Sequence, residues 1–311
     1  MTDLDSVLAE VEEEARREAE EAARRSWLAN RRNGFGCSDL PALFLILGWV
    51  SPMDCDWREE TVDGKLKQVS DLYVTHSLGG FTEREYRTPR YLWELARPRP
   101  HGLPGLILEK AGLPHARGGS DAQEEGKAKE AHLFRCCRLG SLGGRATYYP
   151  EARALPTEWA SRIVSTDPWV ICDKEEPRLL CTLEADERGA TPDLDTAWEL
   201  KTDRPGKRLL PPWAQALQAR GQGVVMGHKR WGIQYGPGWA MTDEPAFPDL
   251  PDPVEWGPYQ LTPGDGMLIR KAVGLGWKLV EEARAGWERW ALDNPEKTPR
   301  QYLNWRQKQE T

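Results

Sequence analysis

The chain has 311 residues, which is enough to bury one large core or two smaller ones. Hydrophobic residues make up 39% of it and charged residues 29%, as in ordinary folded domains, and no apolar run is long enough to cross a membrane. The net charge of −7 argues against nonspecific coating of nucleic acid, but it does not exclude a local basic channel, because the field in a cleft depends on where charges lie.

Three further features of the sequence bear on cofactor binding, nucleic-acid binding and cellular location. The six cysteines form no C-x-x-C pair, which disfavours a zinc knuckle or an iron–sulfur cluster. The fifteen tryptophans are scattered along the chain and favour roles in packing over stacking on bases. The acidic amino terminus lacks the apolar core of a signal peptide, so we expect a cytoplasmic protein.

The start of the chain predicts two helices. Residues 5–30 alternate blocks of Glu and Arg around a thin apolar stripe, which predicts a solvated helix or an oligomer contact. Gly34 and Gly36 end that helix, and Ser38 or Asp39 can cap the next one.

The rest of the chain predicts short helices and loops, followed by alternating strands and helices. Frequent Pro and Gly make residues 50–122 loop-rich, with short helices such as 89–96. Apolar patterns then predict helices over 123–138, 213–226 and 267–292 and strands over 169–172, 178–186, 197–202 and 230–235. We expect one α/β domain with helical additions at both ends: a charged helix (1–30), a core (31–240) and a C-terminal helical extension (241–311).

The segment Glu199-Leu200-Lys201 carries the clearest chemical signal. Residues two apart in a strand point to one face, so Glu199 and Lys201 project together while Leu200 faces the opposite side. The preceding strand carries Glu184 and Asp186 on one face. Pairing of the two strands as a hairpin would bring these acids beside Glu199 and Lys201.

Carboxylates gathered around one lysine predict a metal site. They repel each other unless they are protonated or bridged by a cation, and oxygen ligands of this kind suit Mg²⁺ or Mn²⁺. A lysine beside such a metal can orient or deprotonate a water, while the metal polarises a scissile phosphate. The alternative is a surface ladder of Glu and Lys, which often arises by chance in strands.

Four motifs in chain order resemble those of the lambda exonuclease and YqaJ-type viral recombinase nucleases, a family of the PD-(D/E)xK superfamily. They are the Arg, Gly and Ser of residues 31–39, the Gly126-x-x-x-Glu130 pattern, Cys181-Thr182-Leu183-Glu184 ahead of Glu199-Leu200-Lys201, and Gln215-Ala216-Leu217-Gln218. The resemblance spans about residues 27–235. It implies a restriction-endonuclease-like core, in which helices flank a mixed central sheet.

The resemblance implies a role for each matched residue of the metal site. The ligands of Mg²⁺ or Mn²⁺ would be three carboxylates, those of Glu130, Glu184 and Glu199, together with the backbone carbonyl of Leu200. Lys201 would position or activate the attacking water, and Gln218 would support it. Ordinary surface roles stay open for Gln218 and for Glu130, which Lys127 or Lys129 could pair.

The first motif implies a site for a 5′-terminal phosphate. Arg31 would bind the phosphate in bidentate fashion, and Ser38 would contribute at the start of a helix. Arg32 is an equal candidate by its spacing. The alternative for Ser38 is a plain N-cap.

The strand acid departs from the family pattern, which places Asp in an S-P-D or T-P-D sequence. This chain has Glu184, with Asp186 two residues later and a literal T-P-D that ends at Asp193. Asp193 lies only six residues before Glu199, which leaves little room for a turn between facing strands. We rank Glu184 first as the metal acid, Asp186 second and Asp193 third.

The resemblance implies a metal-dependent exonuclease that acts 5′ to 3′ on double-stranded DNA ends, in phage or prophage recombination beside a single-strand annealing protein. Such enzymes can form rings around DNA, so a homo-oligomer is one expectation. Two alternatives stay open: a structure-specific or CRISPR-associated endonuclease of the same superfamily, and a non-catalytic DNA-end-binding protein with a degraded site.

Overall fold

The computed structural model describes residues 32–52, 57–62, 65–70, 73–75, 86–87, 90–114, 121–149, 157–166, 169–182, 184–203, 213–237 and 252–310. The predicted helix over 5–30 and Arg31 lie outside these ranges. Among the helices that these ranges contain, none is long and apolar enough to span a membrane.

The described residues contain seven α-helices and fourteen strands. The helices are α1 (Leu40–Ile46), α2 (Arg90–Ala96), α3 (Gly105–Ala111), α4 (Asp121–Cys136), α5 (Trp213–Met226), α6 (Pro263–Asp293) and α7 (Pro299–Glu310). The strands are β1 (Phe35–Gly36), β2 (Ser51–Pro52), β3 (Trp57–Val62), β4 (Lys65–Ser70), β5 (Tyr73–Thr75), β6 (Tyr86–Arg87), β7 (Ala146–Tyr148), β8 (Ile163–Thr166), β9 (Trp169–Cys172), β10 (Leu179–Thr182), β11 (Ala185–Glu187), β12 (Thr196–Asp203), β13 (Arg230–Pro237) and β14 (Val254–Gln260). The prediction of a mixed α/β fold flanked by helices is confirmed.

Two mixed sheets take the place of the single central sheet that the sequence predicted. One has the order β1-β10-β9-β8, and the other has the order β14-β13-β12-β11-β7. The strand predicted over 178–186 divides between them, because β10 pairs with β1 and β9 whereas β11 pairs with β12 and β7. The prediction of one continuous strand is therefore wrong, and Glu184 lies at the point where the chain changes sheets.

The strand β12 is buried between two helices. Trp198 and Leu200 join Leu133 of α4 in one apolar cluster. Ala197, on the other face of β12, belongs to the main core together with Leu217 of α5. Burial of a leucine side chain in such a position contributes roughly 2 kcal/mol to stability. The two helices thus hold β12 firmly and fix the direction of the side chains that it presents.

Two regions differ from the sequence prediction. Residues 50–122, predicted as loop-rich, contain a β3–β4 hairpin and a small sheet of β2, β5 and β6. The hairpin strands are rich in Glu and Lys, which are depleted in strands generally, although Asp63-Gly64 between them is a turn signal. The region after residue 240, predicted as helical, contributes β14, which pairs with β13 and extends the core sheet.

Candidate active site

Three glutamate side chains converge on the ammonium of Lys201. Its Nζ lies 2.5 Å from Glu199 Oε1, 3.5 Å from Glu184 Oε1 and 4.0 Å from Glu130 Oε1. The side chain of Glu199 is fully buried, whereas those of Glu130, Glu184 and Lys201 are 15%, 13% and 26% exposed. The cluster is thus closed on the Glu199 side and reaches solvent at Lys201.

The break between β10 and β11 positions Glu184. Antiparallel pairing of β11 with β12 begins at Ala185, opposite Trp198, so the backbone N–H of Leu200 lies beyond the end of β11. That N–H donates a hydrogen bond to Glu184 Oε2 at 2.7 Å. A carboxylate thus takes the place of the missing strand partner, and the bond fixes Glu184 in the cluster.

The other two carboxylates come from different elements. Glu199 lies on β12, where it alternates with the buried Leu200, and Lys201 follows on the same face. Glu130 belongs to α4, whose apolar residues pack on β12. A helix, the break between two strands and a central strand therefore each supply one acid.

Gln222 completes the surroundings of Glu199. Its Nε2 donates to Glu199 Oε2 at 2.5 Å, and both side chains are buried. The sequence assigned a supporting role to Gln218, which lies one turn earlier on α5 and is only partly buried. The contact with Glu199 comes from Gln222, which the sequence analysis did not single out, and the role of Gln218 stays a prediction. Residues four apart share a helix face, so the spacing from Gln218 was the signal that could have found it.

The charge of the cluster is unbalanced, because three carboxyl groups share one ammonium. Burial raises the pKa of Glu199 well above its usual range, and the charge of Glu184 raises it further, whereas Lys201 opposes both effects. Burial alone would lower the pKa of Lys201, but the charges of Glu184, Glu199 and Glu130 outweigh it and raise that pKa well above its ordinary value. Excess negative charge of this kind favours the binding of a cation.

The two lower-ranked acids lie elsewhere. Asp186 is fully buried and forms an ion pair with Arg188 at 3.0 Å, with His228 Nε2 3.5 Å away. Asp193 has a side chain that is 71% exposed, and it pairs with Lys229. Of the three candidates for the strand acid, Glu184 is the one that the structure brings to Lys201.

The donor set fits a hard divalent cation. Carboxylate oxygens of Glu130, Glu184 and Glu199, with the Leu200 carbonyl as a further candidate, are ligands that Mg²⁺ and Mn²⁺ prefer. Glu199 Oε1 is buried and accepts no hydrogen bond from the described residues, although it forms the ion pair with Lys201. Within those residues, no three His, Cys, Asp or Glu side chains are already spaced as a metal cage. A cation bound by these carboxylates would replace the Lys201 ammonium as their partner.

Part of the predicted phosphate motif packs beside this cluster. Gly221, next to Gln222 on α5, lets Cys37 of that motif approach the helix closely, since an added Cβ would lie 3.1 Å from Cys37 Sγ. Ser38 is exposed, and Asp39 rather than Ser38 is the N-cap residue of α1. Arg32 is exposed as well, and Arg31 lies outside the described residues.

No family model and no curated protein matches this chain. Among solved structures, the alkaline exonuclease LHK-Exo from Laribacter hongkongensis is similar over 86% of this chain and 98% of its own, with 11% identity and a TM-score of 0.45. A structure of LHK-Exo in complex with dAMP is similar over 61% of this chain and 83% of its own, with 11% identity and a TM-score of 0.40. Similarity at this level is too low to support an activity, which depends on the geometry of the site.

Proposed function

We propose that this protein is a Mg²⁺- or Mn²⁺-dependent deoxyribonuclease, an exonuclease that degrades double-stranded DNA ends 5′ to 3′ in phage-type recombination or DNA repair. The observation that carries the proposal is the convergence of Glu130, Glu184 and Glu199 on Lys201 at a site that opens to solvent. An excess of carboxylates beside one lysine suits metal-assisted hydrolysis of a phosphodiester.

Each side chain of the cluster has a role in this reaction. Glu130, Glu184 and Glu199 would hold the metal, which would supply Lewis-acid polarisation of the scissile phosphate. Gln222 keeps the Glu199 carboxylate in place through its hydrogen bond. Lys201 orients the attacking water. Its raised pKa depends on the three carboxylates, so their engagement by a metal would lower that pKa and leave a larger fraction of Lys201 neutral and able to accept a proton.

The substrate end and the partners belong to the same proposal and rest on the family resemblance. Arg31, Arg32 and Ser38 would hold the 5′-terminal phosphate of the strand that is degraded. A single-strand annealing protein would receive the remaining strand, and a homo-oligomer would enclose the duplex.

A gel assay with Mg²⁺ tests the proposal on linear duplex labelled at either end and on closed circular DNA. We expect wild-type protein to shorten the linear duplex from its 5′ ends and to leave the circle intact. Lys201→Ala should abolish the activity, whereas the matched control Lys229→Ala, which removes an exposed lysine, should retain it. Cleavage of the circle would favour the endonuclease alternative, and full activity of Lys201→Ala would refute the site.

A further inference from the structure

Two regions without a predicted function hold residues 32–39, the described part of the predicted phosphate motif. These are α3, within residues 50–122, and α6, after the predicted core. One nitrogen of Arg284 on α6, Nη2, donates to the carbonyl of Arg32 at 3.0 Å and to the carbonyl of Lys110 at 2.6 Å. The guanidinium also lies over the ring of Trp277, 5.1 Å from its centroid. Arg284 therefore ties the start of the segment to α3 and α6 together.

A buried ion pair fixes the other end of the segment. Lys110 Nζ lies 2.7 Å from Asp39 Oδ2, and the two side chains are 0% and 1% exposed. The same carboxylate oxygen accepts a hydrogen bond from the backbone N–H of Gly36 at 2.9 Å. The ammonium also lies 5.7 Å from the ring centroid of Phe35. A paired charge in this setting is costly to break, so it holds the turn over residues 36–39 in one shape.

These contacts surround the residues that would meet the end of the DNA strand while leaving them exposed. Arg32 and Ser38 are both exposed; the carbonyl of Arg32 is itself the first anchoring point, and Ser38 directly precedes the second, Asp39. A surface that binds a phosphate in bidentate fashion needs its donors held in a fixed arrangement. The contacts of Arg284 and the Lys110–Asp39 pair hold this arrangement through backbone carbonyls and buried side chains.

We propose that Arg284 is a positioning residue for the 5′ end: with the Lys110–Asp39 pair it sets the backbone of residues 32–39 so that Arg32 and Ser38 can bind a 5′-terminal phosphate. This inference rests on the proposed function. It gives α3 and α6 a share in end recognition, although neither contributes a side chain to the carboxylate cluster.

The test compares kcat/KM on duplexes with 5′-phosphate and 5′-hydroxyl ends for Arg284→Ala, Arg284→Lys and a matched control. The control is Arg270→Ala, which removes another half-buried arginine of α6 whose contacts go to Asp173 and Glu175. We expect Arg284→Ala to reduce the preference for 5′-phosphate roughly tenfold, mainly through KM, since a small displacement of a binding group has effects of this size. Arg284→Lys should recover part of the preference, because a lysine can still donate to one of the carbonyls.

The control separates positioning from general stability. Thermal melting should show that both alanine variants are destabilised, whereas Arg270→Ala should keep the wild-type preference within roughly a factor of two. An equal loss of preference in Arg270→Ala and Arg284→Ala, or an equal slowing of both ends by Arg284→Ala, would overturn the inference. Wild-type protein that degrades both ends equally would also overturn it and leave the nuclease proposal standing. Wild-type protein that degrades no DNA would refute the proposed function itself.

Discussion

Two buried acid clusters occupy neighbouring positions along the chain, and they differ in how their charge is balanced. At Lys201, three carboxylates share a single ammonium. At the second cluster, Asp186 faces Arg188 and His228, and Arg188 also pairs with Asp195 at 3.3 Å. A carboxylate paired with basic groups is already compensated, whereas a surplus of carboxylates leaves negative charge that a divalent cation can neutralise. The excess of charge, rather than burial alone, therefore distinguishes a candidate catalytic cluster from a structural one.

The largest expected effect comes from removing a charge at the first cluster. Glu199→Gln keeps the shape of the side chain but removes a metal ligand, so we expect kcat to fall roughly a thousandfold, since metal polarisation supplies several kcal/mol. Initial rates on linear duplex with Mg²⁺ measure this. Asp186→Asn is the matched control, and in the folded protein it should leave kcat nearly unchanged. The reverse pattern would show that the two clusters have been assigned the wrong way round.

The second largest effect is a loss of stability, and we expect it on substitution of Asp186 at the second cluster. Asp186→Asn removes the ion pair with Arg188, which is 41% exposed, so solvent screening limits the loss to about 1–3 kcal/mol. Urea denaturation of the metal-free protein measures this change. In Glu199→Gln we expect no such loss, because burial disfavours the charge that this substitution removes. A stability loss in Glu199→Gln as large as that in Asp186→Asn would contradict the distinction.

The sequence predicted this distinction in part. The alternation along β12 placed Glu199 and Lys201 on one face and buried Leu200, because a strand has a period of two. The ranking of Glu184 over Asp193 followed from the short spacing between Asp193 and Glu199, and the structure places Asp193 away from the cluster.

Other features depend on tertiary structure and could not be predicted from short stretches of sequence. The switch of sheets at Glu184 arises because β10 and β11 pair with different partners, a fact that no pattern within residues 178–187 encodes. Gln222 and Gln218 share a helix face, and the way α5 packs decides which one reaches Glu199. The strands of the β3–β4 hairpin were not predicted, because their many charged residues are uncommon in strands.

A smaller effect is expected at Gln222. Gln222→Leu removes the hydrogen bond to Glu199, so we expect kcat to fall roughly tenfold, the equivalent of one hydrogen bond to a charged group. Gln218→Leu, one turn away, should change kcat by less than roughly twofold. Steady-state kinetics of the two variants at saturating Mg²⁺ decide between them. A larger loss in Gln218→Leu would instead support the role that the sequence predicted for Gln218.

The smallest effect is the dependence of stability on pH. The pKa of Glu199 is raised in the folded state, so its contribution to stability is present at low pH and is lost as pH rises through that pKa. Mg²⁺ competes with the proton, so the stabilisation that it gives should grow over the same interval. Melting temperatures between about pH 5 and 9, with and without Mg²⁺, measure both trends. Their persistence in Glu199→Gln would show that another group is responsible.

Binding of Mn²⁺ tests the central claim most directly, because it needs neither substrate nor turnover. Calorimetric titration should be carried out on wild-type protein, on Glu184→Gln at the first cluster and on Asp186→Asn at the second. We predict that wild-type protein and Asp186→Asn bind Mn²⁺ alike, and that Glu184→Gln binds at least about tenfold more weakly. Unchanged binding by Glu184→Gln, or absence of binding by the wild-type protein, would contradict the assignment of the metal to the carboxylates around Lys201.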